Sequence, residues 1–186
     1  MLVEQDLLLQ CQKGDQSAYS TLYKTCAPYV FTIVKNYFSE DHDRKDVLQE
    51  IFAHIFTSLE NFDQNKGSFK SWISRIAVHQ CINVLRKNNR LNIVYTMEIM
   101  EDIEYDTLET LEKFTVKDLE KMLMDMPDGY KTIFLLSVIE EYSHKEIGEM
   151  LSITQETSRS QLFRAIKWIK NNILNTSNMI QYGLLQ

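Results

Sequence analysis

Six side chains, Trp72, Arg75, His79, Asn83, Arg86 and Arg90, recur at intervals of three, four, four, three and four residues. On an α-helix, at about 100° per residue, they gather within a sector of roughly 80°. The set combines three guanidinium groups with an indole, an imidazole and an amide. No Asp or Glu occurs between Asp63 and Glu98, and Lys66, Lys70 and Lys87 add positive charge to the same window. Cations interleaved with an aromatic ring can neutralise phosphates and stack on an exposed base. A solvated basic helix face would carry the same pattern.

A second acid-free run extends from Thr157 to the last residue and contains Arg159, Arg164, Lys167 and Lys170. It is preceded by Ser143-His144-Lys145-Glu146, a capping box in which the first and fourth residues satisfy each other's backbone amides. Ser152-Ile153 forms a turn, Thr154 is the next N-cap, and Gln155–Leu174 follows as a long helix with an apolar stripe of Leu162, Ile166, Ile169 and Ile173. Two helices joined by so tight a turn, the second one basic, make a helix-turn-helix, which presents its second helix to a major groove. A plain helix corner in a bundle is the alternative.

Enzyme chemistry has no footing in the chain. It has no P-loop, no G-x-G-x-x-G and no H-E-x-x-H, and His42, His54, His79 and His144 are scattered. Cys11, Cys26 and Cys81 are odd in number and lack a C-x-x-C pair, so they read as buried free thiols. Neither a metal nor a cofactor is expected.

The elements that must position the basic faces are helical. Five Gly and two Pro in 186 residues leave few breakers. Gly67–Arg90 reads as a helix capped by Ser68, with Phe69, Ile73, Ile76, Ala77 and Val84 on its apolar side. Before it, Leu2–Lys13 is a short helix stopped by Gly14, and Asp15 caps the next. Gln16–Phe38 is helical, with an interruption or bend expected near Pro28. Its rings, Tyr19, Tyr23, Tyr29, Phe31, Tyr37 and Phe38, are expected in the core. Asp43–Leu59 is a third helix, turning Val47, Ile51, Phe52, Ile55 and Leu59 inward. Its polar flank, Asp46, Gln49, Glu50 and Ala53, is open to solvent or to a partner. Further on, Leu111–Met124 is helical and ends at Met126-Pro127-Asp128-Gly129, Tyr130–Glu140 is a compact apolar helix, and Asn175–Gln186 reads as a mobile tail.

The net charge of −6 at first argues against a polyanionic partner. Its distribution reverses that reading. Residues 1–90 hold 11 Lys+Arg against 10 Asp+Glu, net +1; residues 91–118 hold 2 against 8, net −6; residues 119–186 hold 7 against 8, net −1. The acidity sits in a central linker, and local charge is what a phosphate backbone meets. The expected architecture is all-α, with two small helical domains, 1–90 and 113–175, joined by an acidic linker, 91–112, and followed by a tail, 176–186. No apolar run reaches the ~18 residues of a membrane span, and Glu4 and Asp6 stand where a signal peptide would be basic. A cytoplasmic protein with no membrane insertion is expected.

In order, these pieces resemble the extracytoplasmic-function sigma factors of bacterial RNA polymerase over nearly the whole chain. Asp46-Val47-Leu48-Gln49-Glu50-Ile51-Phe52 is similar to the family's D-x-x-Q-E-x-F helix. Phe69-Lys70-Ser71-Trp72-Ile73 through Arg75-Ile76-Ala77 and Leu85-Arg86-Lys87 is similar to its F-x-x-W-L…R-I-A…L-R-[RK] segment. Tyr142-Ser143-His144-Lys145-Glu146-Ile147 and Ser158-Arg159-Ser160-Gln161-Leu162-Phe163-Arg164-Ala165 resemble its helix-turn-helix.

The resemblance implies a non-enzymatic factor that binds core RNA polymerase through Asp46, Gln49 and Glu50. It implies recognition and melting of a −10 element by Lys70, Trp72, Arg75, His79, Asn83, Arg86 and Lys87, with the melted single strand held afterwards. It implies reading of duplex DNA at a −35 element by Arg159, Ser160, Phe163, Arg164 and Lys167, with Lys170 near phosphate. An anti-sigma factor is implied as a further partner. Departures from the pattern fall at Ser152, where Gly is usual and a left-handed residue is needed, and at Gly148 in place of Ala. Ser158 stands for Val and is expected to loosen the packing. Gln161 stands for Arg and puts one contact in doubt, and His79 stands for Asn. The alternative is a stand-alone helix-turn-helix regulator, which leaves the Gly67–Arg90 face without a role.

Overall fold

The computed structural model describes residues 3–88, 91 and 122–181, with side chains to residue 172. The chain divides into two compact units, Met1–Asn88 and Asn89–Gln186. Among the described residues the elements are helical and no strand occurs. Arg90, most of the acidic linker, the Leu111–Met124 helix up to residue 121 and residues 182–186 lie outside the described residues.

The first unit comprises α1 (Gln5–Gln12), α2 (Gln16–Tyr37), α3 (Asp41–Ser58) and α4 (Phe69–Lys87), with two short 3₁₀ turns, Leu59–Asn61 and Gln64–Lys66, between the last two. Local chemistry sets its boundaries. Gly14 takes φ +85°, a conformation costly for residues with a Cβ. Asp15 then accepts from the amides of Ser17 and Ala18 at 2.7 and 3.3 Å. Ser68 caps α4 by accepting from the Ser71 amide at 3.1 Å. Helices α2, α3 and α4 pack against one another pairwise. Leu22, Val30 and Val34, Ile51 and Ile55, and Ile73, Ala77, Cys81 and Leu85 are fully buried among them. Truncating one such Ile to Ala would cost about 2–5 kcal/mol. Arg44, itself buried, fastens the α2–α3 corner: its Nε donates to the Phe38 carbonyl and its guanidinium meets Asp41, both at 2.8 Å.

Two expectations for α2 need correction. The chain is not interrupted at Pro28, since the helix continues from Gln16 to Tyr37 through it. Pro28 and Lys24, whose carbonyl loses its usual donor four residues on, are both exposed, so water can take the missing bond. Of the rings expected in the core, only Tyr37 and Phe38 are fully buried. Tyr19, Tyr29 and Phe31 are half-buried and Tyr23 is exposed. Tyr19 meets Phe56 at 5.0 Å between ring centroids, and Tyr23 meets Phe52 at 4.5 Å. These rings build an aromatic ledge along α2 and α3 instead of a second layer of core.

In the second unit, Pro127 precedes α5 (Asp128–Phe134), and a π-helical turn, Leu135–Ile139, continues it. The single α-helix expected over Tyr130–Glu140 therefore starts two residues early and widens in its last turn. Glu141 takes φ 57°, and the Tyr142 amide donates to the Leu136 carbonyl at 2.9 Å. Next come α6 (His144–Leu151) and α7 (Gln155–Gln181). The Ser143–Glu146 capping box is formed in both directions. Residues 175–181, read as tail, are helical, since neither Gly nor Pro interrupts the chain before Gly183. The buried line of α7 is Ser158, Gln161, Ala165 and Ile169, not the all-apolar stripe expected. Leu162 and Ile166 are only half-buried, and the Ile173 side chain lies outside the described residues. Ala165 and Ile169 join Met126 and Phe134 in this unit's apolar core.

Candidate nucleic-acid and polymerase surfaces

Helix α4 presents the expected face outward. Lys70, Arg75, His79, Asn83, Arg86 and Lys87 are exposed and Trp72 is half-buried. The Trp72 ring is held in a triangle with Phe62 and Phe69, centroid distances 5.4 and 5.6 Å, and Phe62 meets Phe69 edge-on at 5.2 Å. Phe62 escaped the sequence reading. It lies in the loop before α4, and only its interval to Phe69 and Trp72, seven and ten residues, marks it as a neighbour one loop away. The triangle fixes Trp72, and the residue as a whole stays half-buried. Lys70 Nζ lies 5.1 Å from the centre of the Tyr29 ring, a cation–π contact that ties the start of α4 to α2. Partial burial, and then the Arg75 guanidinium, push the His79 imidazole below its ordinary range. It therefore stands neutral at pH 7, with one donor and one acceptor nitrogen.

On α3, Asp46, Gln49, Glu50 and Ala53 form an exposed flank. Asp46 Oδ2 lies 3.3 Å from His42 Nδ1, and Glu50 accepts from Gln80 Nε2 at 2.7 Å. This flank and the α4 face meet at an open groove of about 310 Å³, walled by Asp43, Asp46 and Glu50 on one side and Gln80, Asn83 and Lys87 on the other.

In α7, Arg159 and Lys167 are exposed, while Ser160, Phe163, Arg164 and Lys170 are half-buried. At 100° per residue these six span about 140° of the side opposite the buried line. The Ser160 hydroxyl donates to the Thr157 carbonyl at 3.0 Å and keeps its acceptor capacity outward. Glu156, at the head of the same side, is held below the usual carboxylate range by its own backbone amide and then by the Thr154 hydroxyl. Gln161, weighed above as a contact position, is fully buried and cannot touch a ligand at this surface.

The turn before α7 accounts for two departures in the sequence. Ser152 sits at φ 58°, ψ 45°, the strained left-handed conformation expected where Gly is usual. A Cβ on Gly148 would come within 2.8 Å of the Ile153 carbonyl oxygen, so the missing methyl is what admits this tight crossing. Ser158 is fully buried. Its Oγ lies 2.9 Å from His144 Nδ1 and joins α7 to α6.

Among the described residues no group of three His, Cys, Asp or Glu side chains is placed to hold a metal. No described helix is long and apolar enough to cross a membrane. The three cysteines are buried and unbridged. Burial first, then the nearby Cys11, pushes the Cys26 thiol up to about 11, so both remain protonated.

Comparison with known proteins places both units. Residues 22–91 match the family described as Sigma-70 region 2, and residues 117–169 match Sigma-70, region 4. The ECF RNA polymerase sigma-E factor of Haemophilus influenzae is 30% identical over 183 residues, covering 92% of this chain and 96% of that protein. The ECF RNA polymerase sigma factor SigW of Bacillus subtilis is 24% identical over 177 residues, 88% of this chain and 93% of that protein. A solved structure of CnrH in complex with the cytosolic domain of CnrY aligns over 90% of this chain and 94% of its own, at 18% identity and a TM-score of 0.47.

Proposed function

The chain belongs to the extracytoplasmic-function sigma factors of the sigma-70 family, and from that premise we propose which surface performs each step. As an alternative sigma factor it binds core RNA polymerase and promoter DNA and directs transcription initiation. The polymerase performs the bond-making chemistry, and this chain supplies recognition. Its place of action is the cytoplasm, beside the polymerase, and an anti-sigma factor is a further partner.

The observation that carries the residue-level reading is the pairing of exposed helix faces. In unit 1 the α4 face offers Arg75, Asn83, Arg86 and Lys87 with no carboxylate among them, and in unit 2 α7 offers exposed Arg159 and Lys167 beside half-buried Arg164, with no acid after Glu156. Region 2, residues 1–90, docks on polymerase through Asp46, Gln49 and Glu50 and engages the −10 element through Lys70, Trp72, Arg75, His79, Asn83, Arg86 and Lys87. Opening the duplex costs a few kcal/mol per unstacked step. Stacking an unpaired base on Trp72, worth ~1–3 kcal/mol, offsets part of it. Region 4, residues 113–175, reads the −35 element with Arg159, Ser160, Phe163, Arg164 and Lys167. Arg can fork onto guanine, and Phe can pack on a thymine methyl. The segment 91–112 tethers the two, so that binding by one raises the effective concentration of the other.

Co-elution of the full chain with core polymerase on size exclusion tests the docking step. One shared peak at micromolar concentration is expected, weakened by Asp46→Arg with Gln49→Ala while helicity is retained. Two separate peaks for the wild-type chain would overturn it.

A further inference from the structure

The first two turns of α7 carry Arg159 outward and Ser158 and Gln161 inward. Inward positions of a helix corner are ordinarily apolar, because burial of hydrophobic surface is what holds such a corner together. Here both are polar and fully buried, and the buried apolar residues of α7 begin only at Ala165. One contact that joins this end of α7 to its neighbour is directional. Ser158 Oγ lies 2.9 Å from Nδ1 of His144, the first residue of α6. The two helix ends it connects are themselves fixed: Ser143 and Glu146 cap α6, and Thr154 Oγ1 accepts from the Thr157 amide at 3.1 Å to cap α7. Gly148 lets the intervening turn close tightly, with the Ile153 amide donating to the Gly148 carbonyl at 3.0 Å.

Apolar contact tolerates sliding and rotation, whereas a hydrogen bond does not. A rotation of α7 by about 20° would carry side-chain groups at a radius of ~5–6 Å through roughly 2 Å. That is far outside the distance range over which an Arg makes a paired hydrogen bond to a base. We propose that His144 and Ser158 are positioning residues for promoter reading, their hydrogen bond setting the rotation of α7 and hence the base preference delivered by the adjacent Arg159. The inference rests on α7 being the −35-reading helix. Burial, and then the Arg159 guanidinium, hold the His144 ring below its ordinary range, so it is neutral at pH 7. A neutral Nδ1 is a single donor or acceptor, and the Ser158 hydroxyl can match either.

The test uses holoenzyme assembled from core polymerase and the full chain, with a promoter library randomised across the −35 element. Ser158→Ala and His144→Leu are expected to lower discrimination between the preferred and next base facing Arg159 by about tenfold. Output from a pre-melted template that needs no −35 contact stays at the wild-type level. His144→Asn, whose amide reaches the position of Nδ1, restores the profile. The double variant is no broader than either single one, as for two partners in one bond. Ser158→Ala is the smaller change and carries the test where His144→Leu fails to fold. A uniform loss of output with an unchanged base profile, or additive effects in the double variant, would reduce the pair to ordinary structural support and overturn the proposal. A flat profile for wild type would overturn the −35 reading itself. A sharp wild-type profile unmoved in every variant would overturn the pair alone.

Discussion

Gln80 Nε2 donates to Glu50 Oε2 at 2.7 Å, a bond from α4 to α3 across thirty residues of sequence. Glu50 belongs to the flank assigned to polymerase, and Gln80 follows His79 on the helix assigned to the −10 element. A net surface hydrogen bond is worth only about 0.5–1.5 kcal/mol. Gln80→Leu is therefore expected to leave the unfolding midpoint of the unit nearly unchanged while polymerase affinity falls a few-fold, because Glu50 loses its fixed orientation. Titration of labelled chain with core polymerase checks this, with Glu50→Ala/Gln80→Leu expected to be no weaker than Glu50→Ala alone.

The turn between α6 and α7 yields a pair of opposite effects. Gly148→Ala drives a methyl against the Ile153 carbonyl oxygen at 2.8 Å and should destabilise the second unit by about 1–3 kcal/mol. Ser152→Gly relieves the left-handed Ser152 and should stabilise it by roughly 0.5–1 kcal/mol. Urea unfolding followed by Trp168 in a Trp72→Phe background reads both. A neutral Gly148→Ala would mean that the turn gives way at little cost.

How much of this was legible in sequence depended on the range of the interaction. Caps are local, so Asp15, Ser68 and the Ser143–Glu146 box could be read from residues one turn apart, and each is formed. The outward face of α4 followed from periodicity for the same reason. Periodicity failed on α7, since counting apolar residues cannot find a buried line that begins with Ser158 and Gln161. Pro28 misled because its cost depends on which side of the helix loses the bond, and that is set by packing. The packing of Phe62 on Phe69 and Trp72 is a contact between a loop and a helix, which helical periodicity does not report.

Acid should weaken the second unit through His144. Its folded-state pKa is depressed below the ordinary value of about 6.5 by burial and then by Arg159. The unfolded chain thus binds the proton more readily, and stability, complete above the ordinary value, is lost as pH falls from there through the folded value. Urea midpoints of the same Trp168-reporting variant at pH 8 and pH 5.5 should differ more with His144 present than with His144→Asn. Equal pH dependence in the two would show that other groups carry the effect.

His79 carries the prediction for the −10 element. An amide at this position can pair with N7 and N6 of adenine together. A neutral imidazole has its donor and acceptor on opposite ring edges and cannot. His79→Asn is expected to change the preferred base at the upstream edge of the −10 element with polymerase binding intact. Because the ring is already neutral at pH 7, the wild-type preference should not change between pH 7 and pH 8. Selection from a library randomised there checks both, and an unchanged profile with a uniform loss of activity would make His79 a packing or phosphate contact.

The central claim, that this chain confers promoter recognition on a polymerase that lacks it, is tested most directly by run-off transcription with core polymerase on a pool of random promoters. Discrete transcripts are predicted only when the chain is added. The recovered promoters should share two elements at one fixed spacing, and Asp46→Arg with Gln49→Ala should abolish the signal. No enrichment with core polymerase, together with tight, dimeric, polymerase-independent binding of duplex DNA by the chain alone, would contradict the account.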